Sequence, residues 1–241
     1  AEKKNNYGED ITRPLNRVDV KIEGQEGVNC LYADDLIATV RTDLLVRLKG
    51  GWKLGIRADL PYAWYRTSSH RTSCYTDLDH IDDSLIQVIA IAPAAGNWTS
   101  AFGLKVIFPT AGNNLQIGDG KYQLLPSAGF KYDLGEWQKN AYAGLILRQA
   151  YDIAGYRSAP YICKTYIQPF FNMDLTHDWF VNFSPELIYN WRIKAWFIPF
   201  DVMLGKMVTQ DVIVSLEYQV AIVYDYKQFT QSLEFRVGYF Y

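Results

Sequence analysis

The C-terminal part of the chain alternates apolar and other side chains over runs longer than a soluble sheet normally uses. In VIVSLEYQVAIVYDY, Val212, Val214, Leu216, Tyr218, Val220, Ile222, Tyr224 and Tyr226 share one face. Ser215, Glu217, Gln219, Ala221 and Asp225 fall on the other, with Ile213 and Val223. SLEFRVGYFY repeats the pattern, with Leu233, Phe235, Val237, Tyr239 and Tyr241 opposing Glu234, Arg236, Gly238 and Phe240. A period of two marks a strand, and ordinary strands run to about five or six residues. Strands this long, with one apolar face each, must press that face against a core or against lipid.

The pattern recurs upstream. Trp52 to Leu60 alternates throughout, with Lys53, Gly55, Arg57 and Asp59 on its polar side. Further runs begin near Val18, Leu36, Leu85, Trp98, Lys121, Asn140, Tyr161, Trp179 and Trp196. Together they predict twelve strands, and no segment has a helical period. The links after even-numbered strands are tight: LKGG, PAAGN, LGEWQ, LTHD and KMVTQ. Two alternate links are long, the polar stretch from Arg66 to Asp82 and the glycine-rich PTAGNNLQIGDG. Short turns at one end and long loops at the other characterise transmembrane barrels. Trp52, Trp98, Trp137 and Trp179 each stand beside a strand start after a short turn, which predicts an aromatic girdle at one rim.

Composition excludes several classes. A net charge of −2 gives no electrostatic footprint for nucleic acid. No run approaches the roughly 18 apolar residues of a spanning helix, and the longest apolar patch, LIQVIAIAPAAG, is interrupted by Gln87. The start AEKK fits a mature chain freed of its signal peptide, and equally a chain trimmed at that point.

Alternation alone leaves open which face is inside. Twelve strands exceed the eight of a lipocalin-like barrel, and Tyr and Trp gather at strand ends. The chain closes on an aromatic residue, like the signal by which the barrel-assembly machinery recognises a C-terminal strand. A closed barrel also pairs every backbone group internally, as hydrocarbon demands. The fold class read from the sequence is therefore all-β: a 12-stranded antiparallel transmembrane β-barrel over residues 15–241, in the outer membrane of a Gram-negative bacterium. Residues 1–14 are either a solvated tail or a plug folded into the lumen.

On this reading the polar face lines a lumen. It carries Lys53, Arg57, Asp59, Lys105, Lys131, Arg148, Lys164, Glu186, Asp201, Glu217, Glu234 and Arg236, which pair largely with one another. Tyr65, Tyr142, Tyr166, Phe170, Phe180, Phe197 and Phe240 share the inward phase. A water-filled pore has little use for so many rings, so an obstructed lumen with apolar binding surface is expected. Prolines mark strands as well: Pro61, Pro109, Pro126, Pro169, Pro185 and Pro199. Proline gives a ladder no N–H. Pro169, Pro185 and Pro199 fall on consecutive strands, where they produce either curvature and bulges or a lateral opening.

Catalytic and metal chemistry find no support. His70 and His80 lie in a long external loop and His177 in a short turn, with no serine and acid arranged around them. No His/Cys spacing resembles a metal-ligand set, and no cofactor is implied. Cys30 and Cys74 fall in neighbouring external loops of an oxidising compartment and are predicted to form a disulfide, leaving Cys163 free.

FPTAGNNLQIGDGKYQLLP, from Phe108 to Pro126, resembles the outer-membrane channel family associated with phenol degradation by the meta pathway. GEDITRPLNRVDV, the GWKL-x-x-R-x-D-LPY stretch, IQPFFNMDL and WFIPFDV extend the likeness, while HIDDSLIQ replaces a glycine-rich G-x-GD-x-x-x-Q pattern. The resemblance implies a 12-stranded barrel linked to uptake of hydrophobic small molecules, with an N-terminal segment that enters the barrel. The expected function is passive uptake of small hydrophobic or aromatic molecules. A narrow diffusion pore for polar solutes is the alternative, and a structural or adhesion barrel a third class.

Overall fold

The computed structural model describes residues 15–27, 33–68, 75–112, 117–138, 140–226 and 228–241. The strands are β1 (Arg17–Glu26), β2 (Ala33–Arg47), β3 (Lys53–Ser68), β4 in two segments (Tyr75–Ile81 and Ser84–Ile91), β5 (Trp98–Phe108) and β6 (Lys121–Asp133). They continue as β7 (Tyr142–Gly155), β8 (Cys163–Asp174), β9 in two segments (Trp179–Phe183 and Leu187–Asn190), β10 (Ala195–Met207), β11 (Val212–Tyr224) and β12 (Gln231–Phe240). Each pairs antiparallel with its sequence neighbours. β1 and β12 close the ring in unbroken register from Arg17↔Phe240 to Glu26↔Gln231. The fold is a closed 12-stranded antiparallel barrel.

The two faces follow the period of two. Along β12, Ser232, Glu234, Arg236 and Phe240 are buried while Leu233, Phe235, Val237 and Tyr239 are exposed. Buried Arg17 and Asp19 on β1 and Arg41 and Asp43 on β2 share the inner side with them. Large apolar residues cover the outer side, among them Val20, Val40, Leu104, Leu147, Phe200 and Leu216. An apolar patch that encircles a protein suits hydrocarbon, not water. Trp52, Trp98, Trp137 and Trp179 are all exposed at the short-turn end, and Trp64 and Trp191 at the other. The apolar band thus has an aromatic girdle at each edge. Gly50 and Gly51, with φ of 71° and 80°, make the first short turn in a left-handed conformation that glycine enters without strain.

Two parts depart from the alternating pattern. The long link read as a loop from Arg66 to Asp82 is largely a hairpin. β3 extends to Ser68 and pairs with the first segment of β4 from Tyr62↔Ile81 to Ser68↔Tyr75. YTDLDHI alternates poorly, so its sequence hides a strand. Tyr226, placed by phase on the outer face of β11, lies beyond the strand end and turns into the barrel mouth, where its ring stands 6.4 Å from Phe197.

Candidate functional site

Inside the long-loop end lies a vestibule of about 410 Å³, lined by Asp35, Tyr65, Asp82, Asp119, Lys164, Arg192, Tyr226 and Phe229 among others. Beneath it is a chamber of about 220 Å³. Gln228 and Phe229 line both spaces, so the turn between β11 and β12 forms a partition. The Thr230 N–H donates to the Glu26 carbonyl at 2.8 Å and anchors that turn. Phe229 meets Phe197 edge to face at 5.1 Å. Tyr65, Ile188, Phe197 and Phe229 form a cluster with Tyr166, Tyr226, Ile117 and Leu78 packed against it. The partition is therefore an apolar collar.

The chamber below is ringed by charge. Lys21, Arg41, Arg57, Lys105, Arg148 and Arg236 face Glu23, Asp59, Glu186, Asp201, Glu217 and Glu234. The six cations balance the six carboxylates. Arg41 grips Asp59 with Nε and Nη2 at 2.9 and 2.7 Å. Arg57 donates from Nε to Asp43 at 2.7 Å. Glu234 takes Arg236 at 2.8 Å and also pairs with Lys21. Gln219 links Glu217 and Asp201 at 2.7 and 3.3 Å. Ion pairs satisfied in this way stiffen a wall and leave little net field.

In the lower lumen apolar clusters alternate with buried polar side chains, Arg17, Asp19, Lys131, Asn172 and Asn182 among them. Phe180, Met203, Ile213 and Phe240 cluster at the short-turn end, and Tyr142 and Phe170 pack with Ile89, Ile91, Ala101 and Ile146. Phe180 and Phe170 lie flat over glycines directly opposite them on the neighbouring strand. A Cβ on Gly205 would stand 2.0 Å from the Phe180 ring, and one on Gly144 2.2 Å from the Phe170 ring. These two rings therefore line the wall instead of crossing the lumen.

The wall is broken beside the chamber. β8 pairs with β9 from Phe180↔Asp174 to Phe183↔Phe171, and again from Leu187↔Ile167. Between these stretches Gln168, Pro169 and Phe170 face Ser184, Pro185 and Glu186 without a ladder. The other side of β9 also lacks pairing between Asn182↔Met203 and Ile188↔Phe197. On β10 the register shifts between Ile198 and Pro199. Pro169, Pro185 and Pro199 thus meet at one gap. Side chains span it from within: Arg148 donates to Glu186 at 2.5 Å and to Gln168 at 2.8 Å. Gln168 in turn donates to the Ser184 carbonyl at 3.2 Å. Phe183 and Phe200 cover the outside, with ring centroids 5.4 Å apart.

At the mouth, Asp83 accepts from the Asp119 N–H at 2.8 Å and the Ala111 N–H at 3.3 Å, tying down the glycine-rich loop. Burial pushes the Asp82 carboxyl up to about 7. The Asp83 N–H opposes this shift, and the charges of Asp83 and Asp119 add to it. Burial likewise raises Asp83, against the hydrogen bonds from Asp119 and Ala111.

Of the residues expected from the sequence, Arg57, Asp59, Lys105, Arg148, Glu186, Phe197, Asp201, Glu217 and Arg236 line the chamber. Tyr65 lines the vestibule, and Tyr166 packs behind it. Tyr142, Phe170 and Phe180 lie in the lower clusters. Cys163 is a free thiol. The expected Cys30–Cys74 disulfide and the segment 1–14 lie outside the described residues. Sequence reasoning missed Lys21, Arg41, Gln168 and Ser184, although all four share the inward phase. It also missed Gln228 and Phe229, which sit in a turn where period-two reasoning does not apply.

No family model matches the chain, and no curated protein matches its sequence. Solved structures do match its shape. The COG4313 outer membrane channel from Pseudomonas putida F1 superposes with a TM-score of 0.75 at 11% identity, covering 98% of this chain and 99% of that one. The NanC porin superposes at 0.61 with 13% identity, and the KdgM porin at 0.56 with 10% identity. Each covers 93% of this chain and 99% of its own. At such low identity the likeness speaks for the fold: this chain is built as an outer-membrane β-barrel.

Proposed function

We propose that this protein is a passive outer-membrane channel for small hydrophobic or aromatic molecules, released sideways through the wall at β8, β9 and β10. The observation that carries this reading is the ladder gap on both sides of β9, where Pro169, Pro185 and Pro199 meet beside the chamber. An apolar molecule finds aromatic surface in the vestibule and at the Phe197–Phe229 collar. Straight passage would then force it through a narrow ring of paired charges, which offers it nothing in exchange for water. The gap leads instead to hydrocarbon, and opening it breaks the Arg148–Glu186 and Gln168 contacts and parts Phe183 from Phe200. No cofactor and no energy coupling enter this scheme. Aromatic cargo accords with the sequence resemblance to channels associated with the meta pathway.

The balanced charges of the chamber favour a second reading, a narrow diffusion pore for small polar solutes. Proteoliposomes distinguish the two. Lateral uptake predicts low conductance together with transfer of small aromatic compounds into the bilayer. Large, steady conductance with fast sugar permeation would sink that reading in favour of the pore.

A further inference from the structure

The wall has a second discontinuity, on the opposite flank from the proline gap. β3 pairs with the lower segment of β4 as far as Asp59↔Leu85 and with the upper segment from Tyr62↔Ile81. Between them Pro61 lacks an N–H, and one backbone bond, Asp82 N–H to the Pro61 carbonyl at 3.1 Å, crosses the interval. Hydroxyls complete the closure. Thr110 Oγ1 donates to the Asp82 carbonyl at 2.5 Å and accepts from the Ser84 N–H at 2.8 Å.

A groove of about 510 Å³ lies in front of this break on the outer face. Val40, Leu60, Ile86 and Phe108 give it apolar walls, and Tyr122 closes one bank with its ring 6.2 Å from that of Phe108. Ser84 and Thr110 place hydroxyls at its long-loop end. Asp59 and Leu85 line both this groove and the inner chamber, so the wall is one residue thick here. The Arg41–Asp59 pair stands directly behind it.

We propose that this groove is a binding site for one acyl chain of an outer-leaflet lipid, which seals the break at Pro61 from the membrane side. The groove opens onto hydrocarbon, where lipid chains are the prevailing solute. A dent in a lipid-facing wall must be filled, because an empty one forfeits contact on every side. A chain lying in it is held by apolar walls and shields the interrupted pairing and the charge behind. Its head reaches the Ser84 and Thr110 hydroxyls at the membrane edge. The proposal rests on the barrel's membrane orientation and is independent of what the lumen transports.

Native mass spectrometry of protein extracted from outer membranes into a mild polyoxyethylene detergent tests the site. The wild type is expected to retain one lipid per barrel after detergent exchange. Leu60→Trp, which fills the groove, is expected to lose it. Leu233→Trp, on a similarly exposed outward position of β12, is expected to keep it. Ile86→Trp repeats the test from the facing strand, and heat-modifiable gel mobility verifies that each variant is folded. A wild type carrying no lipid or only detergent, or equal retention in Leu60→Trp and Leu233→Trp, overturns the proposal.

Discussion

Gly205 and Asp82 show how single positions shape this barrel. The Phe180 ring can lie along the wall only because Gly205 presents no Cβ. Gly205→Ala is expected to cost about 1–3 kcal/mol, the usual penalty for overpacking, seen as a lowered urea midpoint of the barrel. Gly24→Ala is the matched control, since a Cβ there meets nothing within 4 Å. Asp82 gives a pH signature. Its folded pKa of about 7 exceeds the ordinary value near 4, so the folded state holds its proton more tightly than the unfolded one. Its contribution is complete below pH ~4 and is lost as pH rises through about 7. The protection factor of the Asp82 amide, which bonds the Pro61 carbonyl, is therefore expected to fall between pH 5 and pH 8 once the intrinsic base-catalysed rise in exchange is divided out. Asp82→Asn removes that dependence, and an unchanged profile in the variant contradicts the assignment.

Strands were largely legible in the sequence because lipid on one side and polar partners on the other enforce a strict period of two. The twelve crossings, the short and long ends and the girdle of Trp52, Trp98, Trp137 and Trp179 all follow from that constraint. The hairpin of β3 with upper β4 did not, since YTDLDHI carries polar residues at both phases and shows no period of two. The split of β9 was visible only as Pro185. A proline announces a missing donor, but not the side-chain bridge of Arg148, Gln168 and Glu186 that spans the gap. That bridge makes a prediction at the level of strands. Gln168→Ala, which removes the contacts to Arg148 and Ser184, is expected to speed uptake of small aromatic compounds several-fold. Replacing Pro169, Pro185 and Pro199 together with alanine restores ladder donors and is expected to slow it. Unchanged uptake in the triple variant counts against the gap as an exit.

The whole molecule reads as a sequence of environments along one axis: aromatic vestibule, apolar collar, ring of compensated charge, and a base where aromatic clusters interleave with buried polar groups. Phase along the strands indicated the charged ring and the basal rings. It also gave Tyr65 and Phe197 of the collar, while Phe229 escaped it, because that residue comes from a turn whose inward fold is a tertiary event. Phe229→Ala merges vestibule and chamber and is expected to raise ionic conductance in planar bilayers while leaving the barrel folded. An unchanged conductance would place the constriction elsewhere.

The central claim, exit through the wall at β9, is tested most directly by locking that wall. Gln168 stands opposite Glu186 in the register that flanks the gap on both sides, and cysteines at both positions, with Cys163 changed to serine, allow β8 and β9 to be joined by a disulfide. The account predicts that oxidation abolishes uptake of small aromatic compounds and that reduction restores it, with conductance unaltered throughout. Uptake that proceeds equally well with the disulfide closed would contradict it.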